Sequence, residues 1–226
     1  MQIKKIILET HLINELKSFY TDIPGLKLKP DSPETFTVTA GLSEIKFVRA
    51  LKDKPFYHFA FNIPENQISE AREWVLSFAD TIKLNGSDIF DFKSWDAHSV
   101  YFYDPAGNIL ELIARHRLKN SSDKKFSGES LLCISETGIP VNNVYEFKSR
   151  IESPEDLTFF SGDNESFAAL GDDNGLLIIV KNGRKWYPDC PEAEIFPVEV
   201  EVNSNREGEF YSEENKCRIF FRNELK

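Results

Sequence analysis

The chain has 226 residues, of which 41% are hydrophobic and 13% aromatic, enough apolar material for a globular core. Its 37 acidic residues outnumber 27 lysines and arginines, and no basic stripe is present, which argues against a nucleic-acid partner. No segment reaches the roughly 18 consecutive apolar residues of a membrane helix. The three cysteines, Cys133, Cys190 and Cys217, lack zinc-site spacing and indicate a reduced, cytoplasmic setting.

The first 53 residues predict a unit that contains a strand, a helix and further strands. "KKIILET" is strand-like, and "INELKSFYTDI" places its apolar residues on one helical face. "TFTVTA" and "EIKFVRA" then alternate with the period of two that is typical of strands.

Residues 54–117 repeat this pattern. "YHFAFNI" predicts a strand and "SEAREWVLSFA" an amphipathic helix. "SVYFYDPAGNILELIA" predicts two strands joined by a turn at Asp104, Pro105 and Gly107. An acid, Glu111, stands in the middle of the second of these strands, among isoleucines and leucines.

Residues 118–127 are polar and basic, as expected of a linker, and we place a boundary there. Residues 128–226 start the pattern again in a shorter and less regular form, with a strand in "LLCISETGIPV" and a helix in "NNVYEFKSRIE". "GLLIIVK" and "FPVEVEV" predict further strands, and "CRIFF" predicts an edge strand. The chain is therefore expected to be an α+β protein of two similar modules and a smaller degenerate one.

This arrangement resembles the vicinal oxygen chelate superfamily, which includes glyoxalase I, extradiol dioxygenases and the fosfomycin and bleomycin resistance proteins. The resemblance rests on "SFYTDIPGL", "YHFAFNIP" and the "YFYDPAGNILEL" hairpin. It implies tandem βαβββ modules, of which 1–53 and 54–117 pair around a cavity for a small molecule. It also implies metal ligands on the first and last strands of each module, and a possible homodimer.

Alternation predicts which side chains of the second module face that cavity. Phe59 and Phe61 belong against the helix, so His58 and Asn62 point to the other side. The same argument places Glu111 on the cavity side, opposite Tyr101 across the hairpin. His58 and Glu111 match the metal-ligand positions of the family, while Asn62 and Tyr101 are candidate substrate-binding residues.

The first module departs from the family pattern, because Lys5 and Lys46 stand at its two ligand positions. A protonated lysine repels a divalent cation. Three interpretations stay open at this point. His58 and Glu111 bind a metal with a third ligand, taken from His98, Glu9 or Glu44; a lysine pairs with Glu111 in a metal-free pocket; or the lysines bind an anionic substrate beside the metal.

The sequence thus predicts a glyoxalase-like protein with a small-molecule cavity and a divalent Fe, Mn, Zn or Ni ion, with no metal as the equal alternative. As an enzyme it would perform lyase, isomerase, transferase or dioxygenase chemistry. The alternative function is metal-free sequestration of a compound, as in bleomycin resistance proteins. A later loop with Arg184, Lys185 and Trp186 is interpreted as structural, with contact to a ligand anion as its alternative.

Overall fold

The computed structural model describes residues 1–23, 25–152 and 157–223. They form three helices and fifteen strands, all of the strands in one branched sheet. The first module comprises β1 (Gln2–Thr10), α1 (Ile13–Asp22), β2 (Lys27–Ser32), β3 (Thr35–Ala40) and β4 (Ser43–Arg49). The second comprises β5 (His58–Ile63), α2 (Ile68–Leu76), β6 (Phe90–Phe92), β7 (Ala97–Tyr103) and β8 (Ile109–Arg115).

The third module comprises β9 (Cys133–Val141), α3 (Val144–Ile151), β10 (Phe159–Gly162), β11 (Phe167–Asp172) and β12 (Gly175–Lys181). A fourth unit follows, with β13 (Val198–Asn203), β14 (Gly208–Ser212) and β15 (Cys217–Arg222). Within residues 157–223 it has no helix, which explains why the sequence did not reveal it as a separate repeat. The predicted α+β class with tandem βαβββ modules is confirmed.

The same strand pairing recurs in all four units. In each, the first strand lies parallel to the last, as β1 to β4, β5 to β8, β9 to β12 and β13 to β15. A parallel pair needs a connection that crosses over the sheet, which the helix supplies in the first three units. Side chains on the first and last strands of each unit can therefore come close together.

The pairing between modules differs from the expectation that residues 1–53 and 54–117 enclose a cavity together. Strand β5 pairs antiparallel with β9 of the third module, and β1 pairs with β13 of the fourth unit. The two pairs differ in burial. Strands β5 and β9 are buried along their whole length, whereas β1 and β13 alternate between buried and half-exposed residues. Each pair thus joins two strands with similar burial patterns. The predicted chain boundaries themselves, at 117 and 128, stay predictions.

The apolar core lies between the sheet and the helices. Leu16 and Tyr20 of α1 and Ala71 and Val75 of α2 are buried there. Phe59 lies in the same core, as the alternation of β5 predicted. On the opposite side of the sheet, a second apolar cluster includes Trp186 and Ala193 of the connection from β12 to β13. No helix among the described residues is long and apolar enough to cross a membrane.

Candidate metal centre

His58 presents an unprotonated ring nitrogen to the polar face of the sheet. The β5/β8 register places it beside Ile109, and its Nδ1 lies 3.1 Å from the Ile109 carbonyl oxygen. Burial lowers the pKa of His58 to about 4, so the ring is neutral at pH 7. Nδ1–H then donates to that carbonyl, and Nε2 keeps its lone pair. Metal-binding histidines are commonly oriented by such a hydrogen bond.

Glu111 lies next to His58, as the alternation of β8 predicted. Its Oε2 is 3.5 Å from Nε2 of His58, and its Oε1 accepts a hydrogen bond of 2.5 Å from the Ser99 hydroxyl. Tyr101 is its cross-strand partner, which confirms the predicted hairpin register. Burial, together with the nearby Glu136 carboxylate, raises the pKa of Glu111 to about 8.

Glu136 of β9 is the third member of the centre, and sequence reasoning missed it. Its Oε2 lies 4.0 Å from Nε2 of His58. Burial raises the pKa of Glu136, and Arg115 acts in the opposite direction. The signal was available, because Glu136 is an acid inside a strand that is otherwise apolar or small, as Glu111 is. What the sequence did not show is that β9 pairs with β5.

Arg115 is the counter-ion of this centre and is fully buried at the end of β8. It donates to Oε1 of Glu136, and its Nε donates to the Ser135 hydroxyl at 3.1 Å. Its guanidinium group also lies 5.4 Å from the ring centre of Trp95. One arginine thus offsets one of the two carboxylates, and the remaining negative charge needs a proton or a cation.

The donor set fits a divalent metal ion. One atom from each of His58, Glu111 and Glu136 lies within 4.8 Å of the others, and these form the only such group of three among the described residues. Imidazole nitrogen and carboxylate oxygen bind zinc, manganese and iron. The Nε2 lone pair strengthens this fit, since no N–H stands between the ring and the carboxylates.

The three donors open into a cavity of about 270 Å³ with aromatic walls. Its aromatic lining residues are Phe92, Trp95, Tyr101, Phe167, Trp186 and Tyr187. Trp186 lies with its ring centre 5.0 Å from that of His58. Gly138 makes this position accessible, because a Cβ there would come within 2.5 Å of the Trp186 ring. Thus Trp186, interpreted from sequence as structural, lines the cavity together with Trp95.

The other predicted site residues lie elsewhere, apart from Tyr101. Neither Lys5 nor Lys46 is among the described residues that line the cavity. The Nζ of Lys5 pairs instead with Glu44 at 3.5 Å. The predicted ion pair between a lysine and Glu111 is therefore wrong. Lys5 and Lys46 lie in the first module, which pairs with the fourth unit, whereas Glu111 lies in the second module, which pairs with the third.

His98 and Asn62 are also directed away from the cavity. His98 pairs with Ala114 in an unbroken register, which turns its ring to the other side, where its Nδ1 lies 2.8 Å from Nε2 of His116. The Nδ2 of Asn62 donates to the Asp173 carbonyl at 2.9 Å, and Asn62 lines a separate polar cleft. Glu9 and Glu44, the other candidate ligands, are not among the lining residues either.

Comparisons with known proteins identify the fold. No protein-family model matches the sequence, and no curated protein matches it. A putative dioxygenase from Bacillus subtilis superimposes with a TM-score of 0.59 at 13% identity, over 98% of this chain and 85% of that one. A point mutant of glyoxalase I from Zea mays gives 0.55 at 11% identity, over 98% and 92%. The chain therefore has the vicinal oxygen chelate fold, as the resemblance in its sequence predicted.

Proposed function

We propose that this protein is an enzyme that uses a divalent metal ion, held by His58, Glu111 and Glu136, to act on a small organic molecule with two adjacent oxygens. The observation that carries the proposal is the convergence of these three donors, with Nε2 of His58 unprotonated, at one end of a cavity. The names of the two solved structures that match nearly the whole chain, a dioxygenase and a glyoxalase, support a catalytic role.

Three protein ligands leave coordination positions for substrate, as in catalytic metal sites. The strand registers explain why a fourth ligand is missing. Glu111 pairs with Ala60, two residues after His58, and Ile178 pairs with Gly138, two residues after Glu136. Ile178 thus occupies in the third module the position that Glu111 occupies in the second. Its apolar side chain leaves that side of the centre open.

Each residue of the centre has a distinct task. The ion would supply Lewis acidity to the substrate oxygens. The Ile109 carbonyl holds the orientation of the His58 ring, Ser99 holds Glu111, and Arg115 holds Glu136. The aromatic walls exclude water and pack against the substrate, which strengthens the electrostatic interactions inside.

Metal analysis tests the proposal with variants that remove one ligand each. Protein purified without chelators and loaded with Mn²⁺ or Zn²⁺ is expected to retain about one ion per chain. Glu136→Gln and His58→Gln should weaken metal affinity roughly 10-fold to 100-fold or more, because each removes a ligand. Glu199→Gln, an acid on β13, serves as the matched control and should bind as wild type does. Equal metal content in all four proteins would contradict the assignment.

The second candidate function is metal-free binding of an aromatic compound. Its support is the aromatic wall together with the raised pKa of Glu111, because a proton on that carboxyl can replace the cation. If no divalent ion binds at micromolar concentration, a thermal-shift screen of aromatic compounds becomes the test. A ligand that stabilises wild type but not a Trp186→Ala variant would favour this function.

A further inference from the structure

Arg184 is a cation in the cavity wall that has no acidic partner among the described residues. It lines the cavity with His58 and Glu111, and its guanidinium carbon lies 5.2 Å from the ring centre of Phe167. No carboxylate oxygen in the described part of the chain comes within 4.0 Å of its nitrogens. The other arginine of the centre, Arg115, is by contrast committed to Glu136 and Asp173.

The backbone around Arg184 is held at both edges. Arg184 N–H donates to the Lys181 carbonyl at 3.0 Å, and its own carbonyl accepts from Ala193 N–H at 2.8 Å. Gly183 N–H donates to Ala193 at 2.8 Å. The neighbouring residue Trp186 is buried against His58. Arg184 therefore lies on an anchored backbone segment, which reduces the loss of conformational entropy when a ligand binds.

The charges in the cavity favour an anion, and this step rests on the proposed function. Under that function, Glu111 and Glu136 are engaged by the divalent ion and Arg115, so neither carboxylate is available to Arg184. The Arg184 side chain is partly buried in the cavity wall, and its positive charge has no carboxylate partner in the described part of the chain. A ligand anion can make a charge-assisted hydrogen bond to it.

We propose that Arg184 forms an anion subsite that binds a carboxylate or phosphonate group of the ligand. The planar guanidinium fork matches either group with two parallel hydrogen bonds. The substrate class is then a small organic acid, with its anion on Arg184, its apolar part against Phe167 and Trp186, and its adjacent oxygens at the metal centre. Arg184 takes the role that the sequence had suggested for Lys5 and Lys46.

Calorimetric titration with phenylphosphonate and benzoate tests the subsite, with neutral benzamide as the uncharged probe. Arg184→Gln should weaken binding of both anions at least 10-fold and leave benzamide unchanged. The affinity of Arg184→Lys for both anions should lie between those of wild type and Arg184→Gln, because lysine keeps the positive charge but loses the two parallel N–H donors of the guanidinium group. Lys185→Gln is the matched control, since Lys185 is an exposed cation one residue away that pairs with Asp189 at 3.0 Å, and it should bind within about twofold of wild type.

The titrations are run on metal-loaded protein and on protein treated with chelator. Anion binding that depends on Arg184 in the chelated protein would support the subsite even if the metal assignment failed. Equal affinity of wild type and Arg184→Gln in both states would overturn the inference, and so would wild-type protein that binds neither anion at millimolar concentration. Either result leaves the metal test with Glu136→Gln unaffected. Thermal unfolding of each variant verifies that it is folded.

Discussion

Among the described residues the modules form two pairs, and one of these pairs encloses a cavity with the three donors that we propose bind a metal. We call the β5/β9 pair the covered pair and the β1/β13 pair the open pair. Both are antiparallel contacts between the first strands of two modules. The registers place four positions of the open pair in correspondence with the covered one: Lys5 with His58, Lys46 with Glu111, Glu199 with Glu136, and Phe220 with Ile178.

Lysines replace two of the three donors in the open pair. The Nζ of Lys5 lies 3.5 Å from Glu44, and that of Lys29 lies 2.6 Å from the same carboxylate. In the open pair, lysine side chains therefore supply the positive charge, and no divalent ion is needed to balance the carboxylate. The fold thus provides two equivalent places, and the residue types at four strand positions decide which of them carries the proposed metal donors.

The two pairs also differ in the solvent exposure of these side chains. The side chains of His58 and Glu111 are 7% and 3% exposed, whereas those of Lys5 and Glu44 are both 31% exposed. The cavity of the covered pair has about 270 Å³, and the corresponding depression of the open pair only about 30 Å³. Electrostatic interactions are strong in the first environment and screened in the second.

The largest expected effect is that of Arg115→Met. This variant leaves Glu136 without its buried counter-ion, so we expect the free energy of unfolding to fall by about 3–5 kcal/mol in metal-free protein. Arg218→Met is the control from the open pair, where Arg218 contacts Glu209 at 3.2 Å and is 41% exposed. It should cost about 0–1 kcal/mol. Urea unfolding at pH 7 measures both, and similar losses in the two variants would contradict the comparison.

The pH dependence of stability gives the second largest effect. The pKa of Glu111 in the folded chain is raised to about 8, above the ordinary value of about 4.3. The folded state therefore holds a proton that the unfolded state has lost, and stability falls as pH rises to about 8. His58, whose pKa is lowered to about 4, acts in the opposite sense below about pH 6.5.

The window from about pH 6.5 to 8 separates the buried carboxyl pair, Glu111 and Glu136, from His58. In chelated protein we expect a loss of up to about 1.4 kcal/mol per pH unit there, measured by urea unfolding. Glu111→Gln should remove most of this slope. Glu201→Gln, on the half-exposed face of β13, should keep it. A wild-type stability that is flat across the window would show that Glu111 is already ionised in the folded chain.

A smaller loss is expected from Gly138→Ala. The added methyl group meets the Trp186 ring, so we expect destabilisation of about 1–2 kcal/mol from overpacking and a displaced indole. Gly208→Ala on β14 is the control, because nothing lies within 4 Å of a Cβ at that position, and its effect should stay within about 0.5 kcal/mol. Tryptophan fluorescence should shift for Gly138→Ala only. An unchanged spectrum would mean that Trp186 does not pack on Gly138.

The sequence predicted the part of the site that depends on one module. Alternation along β5 and β8 depends on local geometry, and it correctly directed His58 and Glu111 to the same face and Tyr101 opposite Glu111. The part of the site that the sequence did not predict, Glu136, depends on the pairing between modules. Glu136 lies more than seventy residues from His58 in the chain, and which first strands pair is a long-range property that alternation within one strand does not reveal.

Lys5 and Lys46 also show that the pairing between modules limits what the sequence can predict. Lys5 and Lys46 do stand at positions that correspond to His58 and Glu111, so the comparison of modules within the sequence was sound. The error was to place them in the same cavity as Glu111. Charge type can be read from a single residue, but the partner of that charge is a long-range property of the fold.

The smallest effect is expected from Lys5→Met in the open pair. Lys5 and Glu44 are both partly exposed, and Lys29 continues to hold Glu44 when Lys5 is removed. The free energy of unfolding should therefore change by no more than about 1 kcal/mol, and the metal content of loaded protein should match wild type. A loss above 2 kcal/mol in urea unfolding, or a change in metal content, would mean that the two pairs are coupled. Ile3 pairs with Ile134 and joins β1 to β9 directly, and the Ser43 hydroxyl donates to the Ile3 carbonyl and accepts from Ile134 N–H, so such coupling would pass through these contacts.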